Sequence, residues 1–349
     1  MNKTILHVLN SCSYSGAENV VISIIKEFNN ARKDYNFIYV SLEGPIREYL
    51  IEEGLNYDFV NKMCVSEIRR LIRKHNPDII HAHDFTAGII TSLSTYQTPI
   101  INHLHNNSPW IKMICLKSII YGLSCTRYKK ILTVSKSIMD EYIFGKIFKN
   151  KIVVIGNPVN LEDINCKVTE SDIHEYSDIT FLGRLSHPKN PHLFIEIVND
   201  LVKKFPNLKA AIIGDGDLRE EVEINIFNLG LSKHIKMYGF QKNPYGLLNN
   251  TKLLCMPSNW EGFGLAAVEA LALAKPVVAS PVGGLINIVD NTCGDLCIFK
   301  EEFVNAISNL LSNAELYRNK QLGAKKRAEY FDNMKTYRDA LIAVYKSLL

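Results

Sequence analysis

The 349-residue sequence contains no run of about 18 uncharged apolar residues, so it offers no membrane-spanning helix. Its eight cysteines (Cys12, Cys64, Cys115, Cys125, Cys166, Cys255, Cys293 and Cys297) form no C-x-x-C pair. That absence removes the common zinc and thiol-redox spacings, and most of the eight sit in apolar segments, as buried free thiols do. A reducing compartment, the cytoplasm, is therefore the expected location. The first strand-like run, Thr4–Asn10 behind Lys3, lacks the apolar length and small-residue cleavage site of a signal peptide. A G-x-G-x-x-G fingerprint is also missing, which weighs against a dinucleotide-dependent dehydrogenase. No Lys/Arg run with interleaved aromatics occurs, so nucleic acid is not an expected partner.

What is present is ample core material: 47% of residues are hydrophobic and 22% charged. The length suits two domains of about 150–180 residues each. The net charge of +4 is unevenly placed, with 19 Lys/Arg against 13 Asp/Glu in residues 1–160. A basic excess on that half suits an anionic partner such as a phospholipid surface or a lipid diphosphate; it is equally compatible with an ordinary solvated surface.

Short apolar runs alternate with helical patterns twice along the chain. In the first half, Thr4–Leu9, Asn36–Ser41, Ile79–His81, Ile100–His103, Lys130–Val134 and Ile152–Ile155 read as strands. In the second, Asp178–Leu182, Leu208–Ile213, Ile235–Tyr238, Leu253–Met256 and Pro276–Ala279 do so. Helical periods fit residues 17–28, 191–205, 217–229, 244–249, 265–272 and 301–312. Such alternation predicts an α/β protein with two parallel sheets covered on both faces. The expected domains are residues 1–160 and 178–328, joined by a linker over 161–177 that is rich in Asn, Asp, Glu and Ser. A final helix is expected over 329–349. Ligands in such sheets bind beyond the carboxyl ends of the strands, and the motifs below fall at those ends.

Residues 257–276 carry the densest signal. Gly262 and Gly264 lie just ahead of the helix that opens at Leu265, where unpaired backbone N–H groups and the helix dipole favour an anion. Glu261 and Glu269 bracket the turn. Two carboxylates beside a phosphate would repel it unless they address sugar hydroxyls; alternatively they are there because acidic groups favour a helix N-terminus. In Phe181–Pro191, Arg184 and Lys189 precede a helix beginning at Pro191. Two cations there could stabilise a departing diphosphate without Mg²⁺, or could be ordinary surface charges. Ile213-Gly-Asp-Gly-Asp217 resembles an Asp-x-Asp metal site but reads better as a tight turn with Asp217 as N-cap, so no metal is expected. In the first half, Gly16 sits in a strand-to-helix loop that could approach a phosphate or sugar. His83 and His105 fall just past two strand ends, with His103 and His105 on one sheet face.

Taken together, these segments resemble the retaining glycosyltransferases of the GT-B fold, family 4 group, over nearly the whole chain. The Glu-x7-Glu signature of that group is met by Glu261 and Glu269, with Gly262, Phe263, Gly264 and Leu265 between them. Its Gly-Arg…Lys-Asn loop is met by Gly183, Arg184, Lys189 and Asn190. Its Gly-Gly-Ala-Glu loop is Ser15-Gly16-Ala17-Glu18, with serine in place of the first glycine. Its active-site histidine, after a Pro-Val-Val-like strand, matches His105 after Pro99-Ile-Ile.

The resemblance implies two Rossmann-like domains facing a central cleft, the first for the acceptor and the second for the nucleotide-sugar. It also implies that the final helix crosses back to the first domain. Arg184 and Lys189 would hold the donor diphosphate, Glu261 the sugar and Glu269 the ribose, with Gly16, Gly262, Phe263, Gly264 and Leu265 lining the donor. His105 would contact the transferred sugar near the reacting carbon, and His83 and Asn106 are acceptor-side candidates. The expected activity is hexosyl transfer with retention, without metal or other cofactor. The donor would be a nucleotide-sugar, expected to carry UDP. The acceptor would be a glycan or lipid-linked saccharide of cell-surface polysaccharide synthesis. The competing readings are a sugar-nucleotide epimerase of the same architecture and a non-catalytic companion subunit of a glycosyltransferase.

The amphipathic stretch Pro109–Lys130 adds one more expectation. Its apolar residues accompany Lys112, Lys117, Arg127, Lys129 and Lys130, a pattern suited to peripheral docking on the inner face of the plasma membrane, or to packing against the sheet.

Overall fold

The computed structural model describes residues 2–31, 34–172 and 175–349. The chain divides into two compact units, Met1–Pro158 with Met334–Leu349, and Val159–Asn333.

The first unit is built on seven strands: β1 (Lys3–Val8), β2 (Tyr35–Leu42), β3 (Tyr57–Val60), β4 (Ile79–Ala82), β5 (Ile100–Leu104), β6 (Lys130–Thr133) and β7 (Ile152–Val154). They pair in parallel in the order β3-β2-β1-β4-β5-β6-β7. β4 and β5 are buried at every position, because a parallel sheet with helices on both faces leaves neither face wet. The helix Met334–Lys346 belongs to this unit. It buries Tyr337, Leu341 and Tyr345, and Arg338 Nη1 pairs with Glu27 Oε1 at 2.8 Å.

The second unit carries β8 (Ser177–Leu182), β9 (Ala210–Ile213), β10 (Ile235–Gly239), β11 (Thr251–Met256), β12 (Val277–Ala279) and β13 (Gly294–Leu296) in the parallel order β10-β9-β8-β11-β12-β13. Its core packs Ile179, Phe181, Ile212 and Leu253 of the sheet against Phe194, Ile197, Val198 and Leu201 of the helix Pro191–Lys204. In each sheet the order reverses once, between β1 and β4 and between β8 and β11. Such switch points open a crevice beyond the strands' carboxyl ends. The loops that leave β8 and β11 hold Arg184, Lys189 and Glu261.

Several details depart from the sequence-based expectations. Residues 161–169, expected as linker, form a helix: the Asn160 side chain caps it, accepting from the Asp163 N–H at 3.1 Å, and Ile164 anchors it in the second unit's core. The final helix begins at Met334 rather than 329, because Glu329 ends the preceding helix Ala314–Glu329. Asn333 then ties back to Val159, whose N–H donates to its side chain at 3.0 Å. Asp217 is not an N-cap, since the helix starts at Arg219; its carboxylate turns to Arg184 instead. β3 and β13 are absent from the expected strands because an aspartate interrupts each short edge run, YDFV and GDL, whereas β7, IVV, is apolar throughout.

Pro109–Lys130 divides into a 3₁₀ turn, Pro109–Lys112, and a helix, Leu116–Cys125. Ile111 and Tyr121 pack inward, but Met113, Ile114, Leu116, Ile119, Ile120 and Leu123 are exposed. Packing against the sheet therefore accounts for only a minority of this apolar stripe.

Candidate functional site

In the second unit, β11 runs out into Pro257–Gly264, which leads to the eight-residue helix Leu265–Ala272. Gly264 is the N-cap at φ +102°, a conformation that a side chain would strain. The loop after β12 holds this turn from behind. A Cβ on Gly283 would lie 1.7 Å from the Glu261 carbonyl oxygen, and the Gly284 N–H donates to the Gly262 carbonyl at 3.2 Å. Two backbones in such close approach fix where Glu261 points.

Glu261 is only 5% exposed. Its Oε1 accepts from Lys189 Nζ in a tight ion pair and from Ser258 Oγ at 3.1 Å. Lys189 arrives from the loop after β8, which is fastened to the β11 loop by backbone and side chain together. The Asn259 N–H donates to the Pro188 carbonyl at 2.8 Å and Asn259 Nδ2 to the His187 carbonyl at 2.7 Å. Residues 72 positions apart thus become one ion pair, in which the desolvation of a buried carboxylate is offset by the ammonium beside it.

The other two charged residues expected at the donor have partners of their own. Arg184 Nη2 lies 3.2 Å from Asp217 Oδ1, and both side chains are exposed. Glu269, one turn into the helix, accepts from the Tyr245 hydroxyl at 3.0 Å. Burial pushes its carboxyl above the ordinary range, and the Tyr245 bond opposes that shift.

In the first unit, Gly16 opens the helix Gly16–Ala31, and Ser15 Oγ donates to the buried Glu18 carboxylate one turn later. The Ser15 that replaces a glycine thus has a structural task of its own. Burial raises the Glu18 carboxyl above its usual range. Asp84 caps the helix Phe85–Ser94 and also accepts from the Asn10 N–H at 2.7 Å, so the loops after β1 and β4 are joined at the switch point.

His105 and His83 meet, Nε2 to Nδ1, at 3.1 Å. Burial lowers His105 to about 4, partly offset by the nearby Asn157 side chain, so its ring is uncharged at neutral pH. Asn106 is exposed beside them, with Ser108 Oγ 3.3 Å from its Oδ1.

The sequence points to Lys189 and Glu261 as contacts of two parts of one donor, its diphosphate and its sugar, and not of each other. It gives no means of finding Ser258, Asn259 or Tyr245, whose hydrogen bonds depend on which loops become neighbours. His81 could have been found, because His81 and His83 sit two apart at a strand end and therefore share a face.

Two doubly wound parallel units, with charged residues and a glycine-capped helix at the switch point of the second, fit the architecture that the resemblance to GT-B glycosyltransferases implies. Comparison with known proteins agrees. Residues 168–327 match the family described as Glycosyl transferases group 1, and residues 14–163 match Glycosyltransferase Family 4. An uncharacterized glycosyltransferase of Methanocaldococcus jannaschii is 30% identical over 257 residues, covering 71% of this chain and 69% of that one. The Escherichia coli UDP-Gal:alpha-D-GlcNAc-diphosphoundecaprenol alpha-1,3-galactosyltransferase is 25% identical over 331 residues, covering 86% and 82%. Among solved structures, Anabaena HepE in complex with UDP-glucose superimposes with a TM-score of 0.85 at 20% identity, covering 99% of both chains. The chain belongs to the family 4 type of GT-B glycosyltransferases.

Proposed function

We propose that this glycosyltransferase moves a hexosyl group from a UDP-sugar to a lipid-linked saccharide, with retention of anomeric configuration and without a metal. The observation that carries the reading is the Lys189–Glu261 pair at the β8/β11 switch point. An ammonium and a carboxylate held together suit a ligand that presents phosphate and hydroxyl groups side by side. Arg184 and Lys189 take the diphosphate, Glu261 the sugar and Glu269 the ribose; the backbone of Gly262, Phe263, Gly264 and Leu265 lies along the donor. Gly16 is assigned to the donor as well, and His83 and Asn106 to the acceptor.

His105 is too poor a base at neutral pH to carry a charge, so its role is a neutral hydrogen bond to the sugar. The acceptor hydroxyl attacks the anomeric carbon on the face the diphosphate leaves. The carbon–oxygen bond to phosphate breaks as the new one forms, and the departing phosphate oxygen takes the acceptor's proton. Charge grows on that phosphate, where two preorganised cations do what Mg²⁺ does elsewhere. The E. coli relative's name, with UDP-Gal as donor and a diphosphoundecaprenol-linked acceptor, supports this choice of substrates. A thermal-shift panel of nucleoside diphosphates run in EDTA tests it. UDP at about 100 times its Kd should add about 2.7 kcal/mol of stability. No shift with any uridine nucleotide, or a shift that EDTA abolishes, rules the reading out.

A lipid-linked acceptor requires the enzyme to reach a membrane surface, and the first unit has a suitable face. Beside Met113, Ile114, Leu116 (73% exposed), Ile119, Ile120 and Leu123 lie Ile143 and Ile147 (72% exposed). The two segments are joined where the Tyr142 hydroxyl donates to the Ser118 carbonyl and the Ile143 N–H to the Ile111 carbonyl. Lys112, Lys117, Lys146 and Lys149 are exposed along the same segments, although Lys112 shares its charge with Glu141 at 3.1 Å. Each cation near an anionic leaflet adds about 1 kcal/mol, and the apolar side chains enter the headgroup boundary. The protein is expected to float with liposomes containing anionic lipid at low salt. Leu116→Asp with Ile147→Asp should abolish flotation, whereas binding indifferent to lipid charge would remove membrane docking from the proposal.

A further inference from the structure

Five histidines stand side by side in the first unit. His7 lies on β1, His81 on β4 with His83 just after it, and His103 on β5 with His105 just after it. The register sets His7 opposite His81, and the two-residue repeat of a strand keeps His83 on the face of His81 and His105 on the face of His103. The rings lie close, with centroids 4.1 Å apart for the stacked pair His81 and His83 and 4.2 Å for the tilted pair His103 and His105.

Few of their nitrogens have partners. His7 Nδ1 meets His83 Nε2 at 2.7 Å, His83 Nδ1 meets His105 Nε2 at 3.1 Å, and His81 Nδ1 meets the Tyr345 hydroxyl at 2.8 Å. That leaves His7 Nε2, His81 Nε2, His105 Nδ1 and both nitrogens of His103 buried without a hydrogen bond. An unpaired buried polar atom forfeits its hydration, and such groups are rare in folded proteins. Five of them in one column, all on good ligand atoms, point to a shared partner.

Two overlapping triads place one ring nitrogen per histidine within 4.8 Å of one another: His7, His81 and His83, and His83, His103 and His105. We infer that the second triad, His83–His103–His105, binds one borderline transition-metal dication of the Zn²⁺ or Co²⁺ type. His103 is the ring with neither nitrogen satisfied, and His105 is the least buried of the five, so the ion enters past it. Because His83 belongs to both triads, the column takes a single ion. An all-imidazole set with no carboxylate selects against Mg²⁺ and Ca²⁺. Ligation at about 2.0–2.1 Å sets tetrahedral nitrogens about 3.3 Å apart, so the rings turn inward from separations of up to 4.8 Å, and water fills the fourth position. The ion displaces the His83–His105 hydrogen bond. If His105 contacts the transferred sugar as proposed above, occupancy also withdraws it and transfer falls. Ion binding itself does not depend on that reading.

The test is a Co²⁺ titration of the chelator-stripped protein, read by the visible absorption of tetrahedral cobalt and by equilibrium dialysis. One equivalent should bind, develop the band, and be displaced by Zn²⁺. His103→Phe keeps an aromatic ring in the column and should weaken binding by more than about 100-fold, beyond the loss typical of an outer-sphere partner. His7→Phe should leave it nearly intact. Thermal melts of both variants check that they fold; His103→Asn replaces His103→Phe, and His7→Asn replaces His7→Phe, where the first does not. A wild-type protein with no band at excess Co²⁺ overturns the inference. So does a band that persists in folded His103→Phe or His103→Asn, or one that vanishes in His7→Phe while His103→Phe retains it.

Discussion

Glu261→Gln is expected to lower sugar transfer by about 10²–10³-fold while leaving affinity for the nucleoside diphosphate nearly unchanged. Glutamine keeps the size of the side chain and an oxygen for Ser258 Oγ and Lys189 Nζ, so the loop after β11 should keep its shape. The charge that orients sugar hydroxyls is lost. Lys189, freed from its counterion, remains available to the diphosphate, which is why nucleotide binding should survive. Initial rates and calorimetric titration with UDP, carried out on the same preparation, separate the two effects. A variant with near-normal transfer and only a lower Tm would reduce Glu261 to a structural group at a helix entrance.

The second large effect is expected from the cations, and the two should differ in a way the structure dictates. Arg184→Ala and Lys189→Ala should each cut turnover by about 10²–10³-fold, with wild-type activity not lowered by EDTA. Arg184 pairs with Asp217 in full solvent, a kind of contact worth about 0–1 kcal/mol, so its loss should hardly change the Tm. Lys189→Ala instead strands the Glu261 carboxylate, 5% exposed, without its ammonium. Breaking a buried pair costs about 3–5 kcal/mol; the low end applies because Lys189 itself is 28% exposed. Turnover and melting temperature should therefore fall together for Lys189 and separately for Arg184. Equal stability losses in both variants, or full turnover in either, would contradict the clamp, and chelation that stops wild-type transfer would show that a metal does the cations' work.

Much of the architecture was legible because parallel strands buried on both faces read as short apolar runs. Ile100–Leu104, Lys130–Thr133 and Thr251–Met256 stand out for that reason, and helix Leu265–Ala272 was bounded correctly by Gly264 before it. Segments without such contrast were misread. Leu161–Thr169 is polar enough to pass for a linker and becomes a helix through the Asn160 cap and its buried Ile164. The break at Tyr330–Asn333 lies inside a continuous helical pattern, and only the tie between Asn333 and Val159 shows where one helix ends and the next begins.

The sequence by itself determined the two α/β halves, the glycine-flanked turns at strand ends, and the residue types that a nucleotide-sugar site requires. Those are local properties: a strand's apolar run, a helix's first turn and a loop's glycines depend on neighbours a few residues away. Only the tertiary structure decided that Lys189 and Glu261 form a pair, that Arg184 leans on Asp217, and that the helix Leu116–Cys125 turns most of its apolar residues outward. It alone gathered His7, His81, His83, His103 and His105 into one column. The charged pairs and the histidine column depend on strand order, which sets β1 beside β4 and β5, and β8 between β9 and β11, joining residues from 22 to 76 positions apart. Composition and periodicity carry no record of that order, because burial rewards any neighbour that excludes water, whereas a charged pair or a ligand set exists only between particular atoms.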